Sequence, residues 1–195
     1  MKALVVFCHP NPDSFCAHLR TQVLEGLAER GAEVRQSDLY AKGFNPVMSR
    51  EERAGYHDEG DNERPVAEEL SLLRWCDTLV FVYPTWWFGI PAMLKGWLDR
   101  VFVPHATFTM PTAERPIGPK LQNITTIAAI TTCGARRWQL KFIGEPGRRT
   151  LLRAIRFLCH PRCKTRYAAF YKIDSSSHTA RVRYAAHVRR LARTL

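Results

Sequence analysis

The alternation of strand-like and helix-like stretches limits what this chain can fold into more than any other feature. "ALVVF" (3–7) is a short apolar run rich in β-branched residues, the kind that forms a buried strand. The next segment, "SFCAHLRTQVLEGLAERG", carries Phe15, Leu19, Val23, Leu24 and Leu27 at helical spacing, with Asp13 or Ser14 placed to cap its start and Gly31 to end it. The pattern repeats, with strands at 32–39, 78–83, 123–132 and 166–173 and helices at 66–76, 90–102, 148–159 and 178–195. Between them, residues 40–65 read as a long polar loop with one helical turn at Ser49–Arg53. Five such alternations predict a doubly wound parallel sheet with helices on both faces, in one domain over residues 1–195. With strand order 2-1-3-4-5, ligands bind past the carboxyl ends of the strands, between the first and third. The loops after Phe7 and Val82 are therefore where chemistry is expected.

The bulk numbers exclude several classes. The chain has 195 residues, 46% of them hydrophobic, enough for a real core. No run of about 18 apolar residues is present, so no membrane insertion is expected. The start, "MKALVVFCHPNPDSF", reads as a first strand rather than an export signal, which makes a cytoplasmic protein the expectation. Six cysteines form no C-x-x-C pair, and "CHPRC" (159–163) has no second ligand pair near it, so neither disulfide nor metal is expected. Charge is uneven. Residues 135–195 hold 16 of the 29 Lys/Arg and 2 of the 18 Asp/Glu, a surplus of 14 positive charges on a chain of net charge +11. Such a surface fits an anionic partner or a plain solvated helix face. No nucleic-acid-binding motif accompanies it, and none is expected as a partner.

The first loop, "CHPNPDSF", runs straight into a helix start. The amides of its first turn, around Ser14 to Ala17, can hold a phosphate, with His9 and the Ser14 hydroxyl as further donors. A cap at Asp13 or Ser14 alone would explain the same residues. The third loop, "PTWWFG", puts Trp86, Trp87 and Phe88 on a strand-to-helix turn, where a ring can lie against a planar ligand or plug a neighbouring helix. The fourth, "TTCGARRW", offers the hydroxyls of Thr131 and Thr132, and Gly134 permits close backbone approach. Phosphate donors, an aromatic wall and a polar rim converging on one crevice describe a site for a phosphorylated planar cofactor, and a flavin fits.

In that order and spacing, "HPNPDSF", "SDLYAKGFNP", "YPTWWFGIPAMLKGWLDRVF" and "ITTCG" resemble the NAD(P)H:quinone oxidoreductase family, of flavodoxin-like fold. The likeness is strong over residues 1–134 and loose beyond. It implies that NAD(P)H reduces a bound flavin by hydride transfer, and that a quinone or similar acceptor then takes two electrons from the same face. It also implies a homodimer. Carried across by position, His9, Ser14, Phe15 and Ala17 resemble the phosphate and ribityl contacts. Pro84, Thr85, Trp86, Trp87 and Phe88 resemble the isoalloxazine-binding segment. Thr131, Thr132, Cys133 and Gly134 resemble the ring-edge segment, and Trp138 falls near a family Tyr that borders the flavin. "DLYAKGFNPVMSREE" is similar to the part framing the adenine end of FAD, which favours FAD over the close alternative FMN.

The chain departs from the family where a Tyr–His pair is proposed to move a proton: the matching stretch, "FIGEPGRR", has no His. The acceptor pocket's aromatic pair is replaced within "HATFTM", at Phe108 and Met110, and His105 is the one nearby candidate for a catalytic proton group. Arg136 and Arg137 could pair with the extra phosphate of NADPH or be solvated. A non-catalytic, nucleotide-sensing regulatory subunit of the same fold is the alternative reading.

Overall fold

The computed structural model describes all residues, 1–195. Its main sheet contains β1 (Lys2–Phe7), β2 (Glu33–Asp38), β3 (Thr78–Pro84), β6 (Thr126–Thr132) and β7 (Lys164–Phe170) in the order β2-β1-β3-β6-β7, every pair parallel. This is the 2-1-3-4-5 order that the strand–helix alternation implied. A two-residue antiparallel ribbon, β4 (Phe108–Thr109) with β5 (Gly118–Pro119), lies in the crossover before β6. The helices are α1 (Phe15–Glu29), α2 (Arg50–Ala54), α3 (Ala67–Trp75), α4 (Ala92–Val101), α5 (Arg137–Ile143), α6 (Pro146–Arg149), α7 (Ile155–Phe157) and α8 (His178–Ala192). A π-turn at Thr150–Ala154 joins α6 to α7.

Strand residues alternate between two cores, as the two-residue period of a strand requires. Leu4, Val6, Leu79, Phe81, Ile127 and Ala129 join the core under α3, α4 and the α6–α7 run. Ala3, Val5, Val80, Val82, Ala128 and Ile130 face α1 and α8. Burial of both faces explains why the strands read as continuous apolar runs.

One buried carboxylate ties several elements together. Glu69 is 2% exposed; it accepts from Ser37 Oγ at the end of β2, from Trp97 Nε1 of α4 at 2.7 Å, and pairs with Lys42. Gly96 of α4 lies against the same connection: a Cβ there would come 2.1 Å from the Pro46 carbonyl. The polar segment 40–65 is thus pinned to α4. Its expected helical turn is α2, closed by a capping box between Ser49 and Glu52.

Several boundaries differ from the sequence expectation. Pro91 caps α4 rather than sitting in its first turn. β7 spans Lys164–Phe170 instead of 166–173. α5 and the β4–β5 ribbon were not anticipated. Trp138, Phe142 and Ile143 of α5 are all exposed, so the helix buries only Leu140 and leaves no apolar stripe to read.

Candidate functional site

β1 delivers the first loop beside β3, where the Cys8 amide donates to the Val82 carbonyl at 3.0 Å. The loop then holds itself by short-range contacts. His9 Nδ1 stands 3.0 Å from both the Asn11 amide and the Asn11 carbonyl, so the ring bonds the Asn11 backbone in either tautomer, and the Asp13 amide donates to Asn11 Oδ1 at 2.8 Å. Partial burial lowers the pKa of His9, against a smaller opposing effect of the Asn11 backbone. Ser14, in extended conformation, caps α1: its Oγ accepts from the Ala17 amide at 3.1 Å. Of the two cap candidates, Ser14 is therefore the cap. The amides of Phe15 and Cys16 have no acceptor, and the first turn of α1 holds no acidic residue. Two amides are thus left unpaired at the positive end of a 15-residue helix, where the dipole favours negative charge.

The third loop is unusual in its backbone. Trp87 (φ 47°) and Phe88 (φ 62°) are both left-handed, and the Gly89 amide closes the turn on the Trp86 carbonyl at 3.0 Å. Two consecutive positive φ angles make a type I′-like turn, which Asn and Gly favour and aromatic residues do not. Each such residue costs on the order of 1–3 kcal/mol and persists only where its surroundings over-determine it. The fold supplies that support. Gly147 of α6 packs so closely that a Cβ there would stand 3.3 Å from Gly89 and Ile90. The turn nonetheless presents Trp87 to solvent, 96% exposed. A strained turn that displays an apolar ring contributes nothing to folding at that position, so Trp87 is not a structural plug.

The three loops meet. Residues 85–88 and 133–135 line one open cleft of about 530 Å³. The Thr85 amide donates to the Thr132 carbonyl at 2.7 Å, and the Thr85 and Thr131 hydroxyls stand 2.8 Å apart. The His9 ring lies 6.1 Å from that of Trp86, which joins the first loop to the third.

The residues singled out from sequence divide accordingly. Thr85, Trp86, Trp87, Phe88, Cys133 and Gly134 line the cleft; Ala135, overlooked in sequence, completes it. Thr131 corrects an expectation: it is fully buried and its hydroxyl bonds to Thr85, so it fastens two loops rather than offering a donor to a ligand. Ala17 likewise has its amide taken by Ser14, and Pro84 and Thr132 are buried at strand ends. Cys133 is buried, and burial raises its thiol pKa. Trp138 sits on α5, 62% exposed, outside the cleft lining. His105 also lies outside it; its ring faces Glu59, with Nδ1 3.9 Å from the carboxylate.

A parallel sheet of this order, with unpaired helix amides and an aromatic turn at the carboxyl ends of its strands, is the architecture of nucleotide-binding doubly wound proteins. The chain belongs to the family described as flavodoxin-like fold, whose model matches residues 1–191. Among curated relatives, it is 35% identical over 150 residues to NAD(P)H dehydrogenase [quinone] 1 of Rattus norvegicus, covering 69% of this chain and 54% of that protein. It is 40% identical over 99 residues to an uncharacterized NAD(P)H oxidoreductase, YcaK, of Escherichia coli, covering 50% of each. The chain thus spans about half the length of the curated relatives it matches. Among solved structures, Smu.1420 from Streptococcus mutans superimposes over the whole of both chains with a TM-score of 0.86 at 28% identity. An NAD(P)H:quinone oxidoreductase from Methanothermobacter marburgensis shares the fold, with a TM-score of 0.83 at 24% identity over 99% of this chain and 98% of that one.

Proposed function

We propose that the chain is a flavin-dependent NAD(P)H oxidoreductase that delivers two electrons to a quinone-like acceptor. The observation that carries this reading is the pairing of free amides at Phe15 and Cys16 with an exposed, strained Trp87–Phe88 turn, bridged by His9 and Trp86. One end suits a phosphate and the other a flat ring, and the curated relatives bear NAD(P)H dehydrogenase and oxidoreductase names. When bound there, a flavin supplies the hydride chemistry. The protein's part is positioning. The Phe15 and Cys16 amides with the His9 ring and the Ser14 hydroxyl would hold the phosphate. Trp86, Trp87 and Phe88 form the aromatic wall, and Cys133 to Ala135 border the ring edge.

These contacts involve only the mononucleotide portion common to FMN and FAD. The segment 38–52, whose Pro46 packs on Gly96 of α4, would take the adenine if FAD, the first choice of the two, is the cofactor. The same reading includes a homodimer: Trp138 and Phe142 are large exposed apolar side chains of the kind that a second copy covers.

The test is direct. Purified protein, or protein mixed with FMN or FAD, should be yellow and should oxidise NAD(P)H in the presence of a benzoquinone. Protein that neither retains nor binds flavin contradicts the proposal, whereas bound flavin without turnover favours the regulatory-subunit reading.

A further inference from the structure

A second feature lies along the outer edge of the sheet and owes nothing to the aromatic turn. β7 is an edge strand, and the α6–α7 run lies beside it. Between them is a cleft of about 530 Å³ whose walls carry Arg149, Arg153 and Arg156 from the helical side and Lys164 and Arg166 from the strand. The spacings explain the convergence. Residues 149, 153 and 156 share one face of a helical segment, and 164 and 166 share one face of a strand. The Arg156 Nε donates to the Cys163 carbonyl at 2.7 Å, drawing the two walls together. The only carboxylate at the cleft, Glu145, is taken by Arg148 at 2.8 Å. No carboxylate stands within 4 Å of the other five cations, so their charge at this hollow is left uncompensated.

Three unfavourable features coincide here. Like charges at Arg149 and Arg153 repel across one helical turn. The helix between them is a π-turn, Thr150–Ala154, of the sort that recurs at functional sites. At the mouth, Glu145 is left-handed, with φ 49°. A purely structural edge needs one or two charges to block strand pairing; it does not need five facing a common hollow.

We infer that this cleft binds a small anion with linked phosphates. Its volume lies within the range of small-ligand clefts, and five uncompensated cations match the charge of a di- or triphosphate. The phosphates have two possible sources: a free polyphosphorylated metabolite, or the phosphate-bearing half of the dinucleotide donor. The second source alone rests on the oxidoreductase proposal.

The experiment is calorimetric titration of the full chain with sodium tripolyphosphate, which requires no flavin. Arg153→Glu/Arg166→Glu should weaken binding at least about tenfold, while Arg183→Glu, an exposed cation on α8 outside the cleft, should change it less than about twofold. Circular dichroism melting checks that each variant folds, with Lys164→Ala as the milder substitute. Wild-type binding by the cleft variant, or equal loss in Arg183→Glu, would overturn the inference, the latter because net charge alone would then explain it. The KM for NADPH in flavin-loaded protein separates the sources. It rises alongside the tripolyphosphate Kd if the donor occupies the cleft, and stays put if a separate anion does.

Discussion

Thr85 and Thr131 join their hydroxyls at 2.8 Å, a bond that ties the loop after β3 to the end of β6. The adjoining Thr85 amide to Thr132 carbonyl bond reinforces it. Thr131→Val keeps the shape and removes the bond, at a cost of about 1 kcal/mol. Because the bond anchors Thr85, which lines the cleft, flavin affinity should fall several-fold. The double variant Thr85→Val/Thr131→Val should be no worse than the sum of the single effects less their coupling, read from a double-mutant cycle. Fully additive losses would mean that the two hydroxyls act separately.

Trp87 should behave unlike a core tryptophan. At 96% exposure its removal leaves no cavity. Trp87→Asn puts a residue that tolerates positive φ into the turn, so thermal stability should hold or rise, by up to about 1 kcal/mol. Loss of a ring worth roughly 0.5–1.5 kcal/mol of stacking should weaken flavin binding up to about tenfold. Stability and binding moving in opposite directions is the signature of strain retained for a ligand. A large drop in melting temperature would place Trp87 in a structural role after all.

Ser14→Asp separates capping from phosphate binding. Aspartate caps a helix as well as serine, so stability should change by less than about 0.5 kcal/mol. Its charge beside the free Phe15 and Cys16 amides should repel a phosphate and lower FMN affinity at least about tenfold. Riboflavin, which lacks the phosphate, should bind the variant and the wild type alike. Equal losses for both ligands would show that the phosphate lies elsewhere.

His9 sets a pH dependence. Its folded-state pKa is lowered, mainly by burial, so the unfolded chain binds the proton more readily. The associated stability is fully present above the unfolded value near 6.5 and is lost as pH falls from there toward the folded value. Urea midpoints measured from pH 7.5 down to 5 should decline more steeply for wild type than for His9→Gln. Parallel curves would remove His9 from the linkage.

How much of this was legible in the sequence follows from how residues bury. The five strands announced themselves because both faces are covered, and Leu79 to Val82 or Ile127 to Ile130 could then be nothing but apolar. The convergence of three loops followed from strand order. The strain at Trp87 and Phe88 was not legible, since no side-chain pattern encodes a positive φ on an aromatic residue. The role of Thr131 was misread for a related reason: a hydroxyl at a strand end looks the same whether it faces a cleft or a neighbouring threonine. The uneven charge of residues 135–195 was visible as a number, but its focus on one hollow depends on β7 lying at the sheet edge.

The central claim is that one flavin phosphate and one flavin ring are gripped at two spots of a single site. Titration of ¹⁵N-labelled protein with FMN, followed by amide and indole resonances, tests it most directly. The account expects the Phe15 and Cys16 amides and the Trp87 indole to shift together and saturate at one flavin per chain. Shifts confined to one of the two spots, or saturating at different flavin concentrations, would contradict it.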